Sequence, residues 1–178
     1  MTQIYSLLKK LKNKKEKNWN ISWNLGMFLT NLVEINKPNK ILEVGTSNGF
    51  STLCLLKNLP ETSKIYTVEI NEERFLKAKK NFENFEKNIF QIKGNILEIL
   101  ENNSLKKKFD LIFIDARQDE YKKILQLIEK NQILNENSII VFDNILTHES
   151  TKPLVDFVKK KYVYEIIEMD SGFLILKN

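Results

Sequence analysis

The chain has 178 residues, 42% of them hydrophobic and 29% charged, enough to bury a real core and too apolar for wholesale disorder. No uncharged apolar run approaches the roughly 18 residues of a bilayer span, no cleavable leader pattern opens the sequence, and a single cysteine, Cys54, excludes an internal disulfide framework or thiolate zinc cluster. The net charge of +5 sits within residues 1–17, which hold six lysines and one acid, so the rest of the chain balances to zero. The expected compartment is the cytoplasm.

Taken in chain order, Ile4, Leu7, Leu8 and Leu11 recur at helical spacing, so the basic arm of residues 1–20 reads as an amphipathic helix. Its lysines form either a solvated face or a contact for RNA through residues 1–17. Only Arg74 and Arg117 are arginines, so recognition of nucleic acid by a field of guanidinium groups is not expected. A second helix is predicted over about 23–35, stopped by Lys37-Pro38-Asn39. Trp19, Trp23 and Phe28 read as packing for these helices, with a border to an acceptor site as the alternative.

From residue 41 the pattern changes. Short apolar runs at 41–44, 65–68, 89–92, 110–114 and 139–142 alternate with helical segments such as 72–85 and 121–130. Strands alternating with helices indicate an α/β fold with a parallel sheet covered on both faces. Continuous apolar strands agree with burial on two sides. Runs at 162–169 and 173–176 are separated only by Asp170-Ser171-Gly172, too short for a crossover helix, so they must form an antiparallel hairpin. The expectation is a seven-stranded, mostly parallel sheet closed by that hairpin, in one domain spanning 21–178.

Strand one ends in Glu43-Val44-Gly45-Thr46-Ser47-Asn48-Gly49-Phe50-Ser51 just before a helix. Gly45 and Gly49 permit a sharp turn and a close ligand approach. A third glycine, needed for a dinucleotide pyrophosphate, is absent. Glu69 at the end of strand two can accept hydrogen bonds from both ribose hydroxyls of an adenosine-containing cofactor. Asn95, after Gly94, can meet an adenine or simply build a turn. Strand four ends in Ile114-Asp115-Ala116 and strand five in Phe142-Asp143-Asn144. Two carboxylates and an amide oxygen converging at neighbouring strand ends suit a hard divalent cation such as Mg²⁺.

On the segments 41–56, 65–82, 94–100, 109–121, 138–146 and 169–177, the chain resembles class I S-adenosylmethionine-dependent O-methyltransferases of the catechol/caffeoyl-CoA O-methyltransferase-like group. That resemblance implies a Rossmann-like methyltransferase fold, S-adenosylmethionine as cofactor, and methylation of a small hydroxylated acceptor. It implies that Glu43, Gly45, Thr46, Gly49, Ser51, Glu69, Ile70, Asn95 and Asp115 line the cofactor site, with Ser51 at the methionine carboxylate. It implies that Asp115, Asp143 and Asn144 hold a divalent metal, and it allows a homodimer. A lysine base is usual three residues after the strand-four aspartate; here that position is Gln118, which cannot accept a proton at neutral pH. The metal alone then acidifies the substrate, or Lys122 or His148 substitutes, histidine being the residue type that titrates near neutrality. Only residues 145–152 follow the Asp-Asn pair before the next helix, which predicts a more open acceptor pocket. Two other readings stand beside this one: an RNA methyltransferase guided by the lysine arm, and a non-catalytic cofactor-binding module. Cys54 and the phenylalanines at 75, 82 and 85 read as core.

Overall fold

A computed structural model describes residues 2–12 and 20–178. Trp19, Lys14, Lys15 and Lys17 lie outside the described residues. Helix α1 (Thr2–Lys12) is followed by α2 (Trp23–Asn36), β1 (Lys40–Val44), α3 (Phe50–Leu56), β2 (Lys64–Glu69), α4 (Glu72–Phe82) and β3 (Ile89–Lys93). The second half runs α5 (Ile96–Glu101), β4 (Phe109–Ile114), α6 (Tyr121–Lys130), β5 (Leu134–Phe142), α7 (Lys152–Val158), β6 (Val163–Ile167) and β7 (Phe173–Lys177). Two single 3₁₀ turns, Gln118–Glu120 and Glu149–Thr151, precede α6 and α7. Among the described residues no helix is long and apolar enough to cross a membrane.

The seven strands form one sheet in the order β3-β2-β1-β4-β5-β7-β6. All neighbours from β3 to β5 pair in parallel, and β7 pairs antiparallel with both β5 and β6. This is the expected sheet with its closing hairpin. Strand order reverses between β1 and β4, which opens a crevice at their carboxyl ends.

The inner strands β1 and β4 are buried along nearly their whole length because they feed two cores. Leu42, Val44, Ile112, Ile114, Ile140 and Phe142 pack toward α5, α6 and α7, while Ile41, Ile65, Leu111, Phe113 and Val141 pack toward α1 to α4. Successive side chains alternate between the faces, so along these inner strands neither face reaches water. Leu8 and Leu11 of α1 are buried in the second core, and Lys12 Nζ lies 4.6 Å from the Trp23 ring centroid. Trp23 and Phe28 pack the same way, Phe28 with its ring 4.7 Å from Phe173. Helix α2 is capped by Ser22, whose hydroxyl accepts the Leu25 amide at 3.0 Å, and it stops at left-handed Lys37, one residue before Pro38.

Two boundaries differ from the sequence reading. Helix α4 ends at Phe82, not at residue 85, although Phe85 still packs on the core from the turns that follow. Strand β5 begins at Leu134, five residues before its apolar run, because its pairing with β4 jumps from Phe109↔Leu134 to Leu111↔Ile139. The intervening bulge includes left-handed Asn137, a conformation that asparagine tolerates.

Candidate active site

The parallel ladder continues past the strand ends and ties their tips together. The Gly45 amide donates to the Val68 carbonyl, the Asp115 amide to Val44 and the Asp143 amide to Ile114, at 2.9, 2.9 and 3.0 Å. Above these tips lies a cavity of about 790 Å³, a size suited to a small-molecule ligand. Gly45, Glu69, Ile70, Asn95, Asp115 and Asn144 line it, together with Asp143, Gln118 and His148. These residues, drawn from five strand ends, share one cavity.

The glycine loop is built by close packing within the protein. Gly45 has φ +102, and a Cβ there would lie 1.9 Å from the Asp115 carbonyl oxygen. Gly49 has φ +87, and its Cβ would meet the Phe82 ring at 2.3 Å. Both positions therefore require glycine before any ligand is considered. Thr46, Gly49 and Ser51 are not among the cavity-lining residues, and neither is Glu43.

Glu43 instead anchors a buried polar network beneath the loop. It is fully buried on β1 and accepts the hydroxyls of Ser51, Thr52 and Thr67 at 2.5, 2.5 and 2.6 Å. Burial pushes its carboxyl up to about 7; the three donors oppose this, and Glu69 adds to it. The folded state therefore binds a proton that the unfolded chain releases near 4.5. Stability attributable to Glu43 should fall as pH rises from about 4.5 to about 7 and stay low above that. We expect Glu43→Gln to remove this slope, gaining up to about 3 kcal/mol over the wild type at pH 8. Calorimetric melting of both proteins between pH 5 and pH 8 checks it; parallel curves would contradict it.

Glu69 is held by two backbone donors, the Ser47 amide on Oε2 and the Asn71 amide on Oε1, both at 2.8 Å. Each carboxylate oxygen keeps a further lone pair, so the fixed group can still accept a vicinal diol. Beside it Ile70 is 63% exposed, an apolar surface on the cavity wall. Asn95 Oδ1 caps α5 by accepting the Leu97 amide at 2.9 Å, so its turn role is realised while it also lines the cavity.

Asp115 and Asp143 follow directly on the paired ends of β4 and β5. The Asn144 side-chain amide, on a left-handed residue with φ 59, reaches Asp115 Oδ1 at 3.2 Å. Asp143 Oδ1 accepts the Asn144 amide at 2.7 Å and the Ser171 hydroxyl at 3.2 Å. Burial, then Asp143 and Glu43, hold the Asp115 carboxyl well above the ordinary carboxylate range, only partly offset by Asn144. Two facing carboxylates in a buried cleft call for either a proton or a cation between them. Two carboxylates with the Asn144 side-chain amide beside them could hold a hard cation. Among the described residues no three His, Cys, Asp or Glu side chains cluster as a metal shell.

Gln118, at the position where a base is usual, lines the cavity; of the two candidate substitutes His148 lines it too, whereas Lys122 lies over the Phe157 ring at 5.8 Å. Cys54 is buried, and burial drives its thiol up to about 12, leaving it inert. Two parts of the wall escape a sequence reading. Residues 20–22 and the turn at Asp170-Ser171 both line the cavity, and Ser22 donates to Asp170 across 148 residues of sequence. No local pattern announces such a contact.

The chain is 28% identical over 148 residues to a catechol O-methyltransferase of Niastella koreensis, covering 79% of this chain and 67% of that protein. It is 32% identical over 112 residues to O-methyltransferase hkm8 of Aspergillus hancockii, covering 61% of this chain but only 44% of that longer protein. The fold superposes on the O-methyltransferase from Bacillus cereus, solved in complex with SAH, with a TM-score of 0.85 at 21% identity, covering 100% of this chain and 91% of that one. The sequence profile of the O-methyltransferase family matches residues 2–173, nearly the whole length, and the chain belongs to that family.

Proposed function

We propose that the chain transfers the methyl group of S-adenosylmethionine to a hydroxyl oxygen of a small, catechol-like acceptor, with Mg²⁺ or a similar divalent cation assisting. The observation that carries this reading is the meeting of Asp115, Asp143 and Asn144 in the same cavity as Glu69. Support also comes from the named activity of the Niastella relative and the SAH complex of the Bacillus protein.

In this reading Glu69 takes the ribose hydroxyls and Ile70 flanks the adenine. Gly45 and Asp115 border the sulfonium end. Ser51 is already engaged by Glu43, so it reaches a methionine carboxylate only by sharing its hydroxyl or turning away; Thr46 and Gly49 act by shaping the loop. Asp115, Asp143 and Asn144 would hold the cation, which would make an acceptor hydroxyl more acidic. Gln118 can hydrogen-bond an acceptor hydroxyl but cannot take its proton. His148, at the exposed mouth of the cavity, is the side chain placed to carry that proton to solvent. The rest of the catalytic contribution is alignment of donor and acceptor.

The direct test is calorimetric titration of the full chain with S-adenosylmethionine in the presence of chelator. One binding event per chain is expected, weakened at least about tenfold in Glu69→Ala by loss of its paired hydrogen bonds. Absence of binding, or equal affinity in the variant, would overturn the assignment of the donor pocket.

A further inference from the structure

Strand β6 ends the sheet and leaves one of its edges open. It pairs with β7 over five residues without a bulge and, among the described residues, with no other strand. Val163, Tyr164 and Glu165 are exposed in succession along it. Val163, at 79%, is the most exposed large apolar side chain among the described residues, and the Tyr164 ring stands beside it. An unpaired edge of this kind is a template for another strand. Charge along the segment is also sorted. Lys159, Lys160 and Lys161 lead into the strand, while Glu165 lies within it and Glu168 just past its end. All five are exposed. Lys161 is engaged by Glu129 at 2.7 Å, but among the described residues Lys159, Lys160, Glu165 and Glu168 form no ion pair. A strand that is basic at its start and acidic at its end complements a reversed copy of itself.

We propose that β6 is a self-association surface, on which two copies of this chain pair their β6 strands antiparallel about a twofold axis and so extend the sheet across a dimer. Tyr164 sits on that axis. This register sets Tyr164 against Tyr164 and places Val163 of each copy opposite Glu165 of the other. Just past the paired strands it brings Lys160 of each copy toward Glu168 of the other. A shift that put Glu165 on the axis would face acid with acid, which opposes pairing. A shift that put Val163 there would leave Ile166 and Ile167 opposite the turn that follows α7. Aromatic pairs and opposite charges across neighbouring strands each favour the Tyr164 register. With only five strand residues a side, the contact is smaller than a standard interface, so the dimer is weak and forms at high concentration.

Sedimentation equilibrium of the full chain at low salt, from about 10 μM to about 1 mM, is the test. A monomer–dimer equilibrium is expected, weakening as salt rises. Lys160→Glu or Glu168→Lys alone should weaken it at least about fivefold by setting like charges together. The two substitutions in one chain should bring it back to within about twofold of the wild type. Both side chains are exposed, so neither change touches the core. Oxidative cross-linking reads the register. Tyr164→Cys should give a covalent dimer, because opposed Cβ atoms lie close to disulfide reach, and Val163→Cys, displaced from the axis, should give far less. The native thiol, Cys54, is buried and does not compete. If Tyr164→Cys does not fold, the charge variants decide. A chain that stays monomeric to about 1 mM, leaving the edge open or to a different protein, would overturn the inference. So would a dimer that both charge reversals leave unchanged, one that the double reversal fails to restore, or cross-linking no greater at Tyr164→Cys than at Val163→Cys.

Discussion

Asp143→Ala is expected to lower divalent-dependent methyl transfer by at least about a hundredfold while changing affinity for S-adenosylmethionine by less than about threefold. The asymmetry follows from position. Asp143 sits at the tip of β5 beside Asn144, whereas Glu69 ends β2 and the glycine loop follows β1. Stability should separate as well. In the wild type Asp143 helps to hold the Asp115 carboxyl above its usual range, a cost of bringing two acids together. Removing one relieves that cost but deprives the Asn144 amide and the Ser171 hydroxyl of their acceptor, so the response to cation, not the baseline, separates the two proteins. Added Mg²⁺ should raise the wild-type melting temperature by preferential binding to the folded state and leave the variant's unchanged. Thermal melts with and without Mg²⁺, beside donor titration, check both halves. A variant with unaltered turnover would remove the cation from the chemistry.

Gly45→Ala should be the most damaging single methyl in the molecule. The new Cβ would sit 1.9 Å from the Asp115 backbone oxygen, on a residue whose φ of +102 already disfavours a side chain. Backbone cannot rotate away as a side chain can, so the tips of β1 and β4 must separate. We expect a loss of about 3–5 kcal/mol, or roughly 10 °C in Tm, with donor binding and transfer lost together. Gly49→Ala provides the comparison: its obstruction is the Phe82 ring, a side chain that can shift. It should cost less and retain part of the donor affinity. Equal damage at the two positions would contradict the close approach of Gly45 to Asp115 as the reason.

How much of this was legible in the residues themselves differs between fold and site. The inner parallel strands stood out because they are buried on both faces and so read as nearly uninterrupted apolar runs. The polar half of β5 did not, because Asn135, Glu136 and Asn137 form a bulge with no hydrophobic signature. Aspartates and glutamate at strand ends were legible, since an open parallel sheet gathers those ends at one edge. The roles of Glu43 and Ser51 were less so. Both lie beside the loop, but their side chains bond each other below it, a distinction of which way a carboxylate points. Thr46, Thr52 and Thr67 join that network while looking in sequence like ordinary β-branched filler. Residues 20–22 read as a mere break between helices. Their place in the cavity wall depends on the Ser22–Asp170 contact, which pairs the two ends of the chain.

The central claim is that Asp115, Asp143 and Asn144 bring a cation to an acceptor hydroxyl next to a bound methyl donor. It is tested most directly by following labelled methyl from S-adenosylmethionine to catechol, with chelator and then with excess Mg²⁺ restored. Transfer that stops with chelator, returns with Mg²⁺ and fails to return in Asp143→Ala is the predicted result. Transfer that continues undiminished in chelator, in either protein, would contradict it.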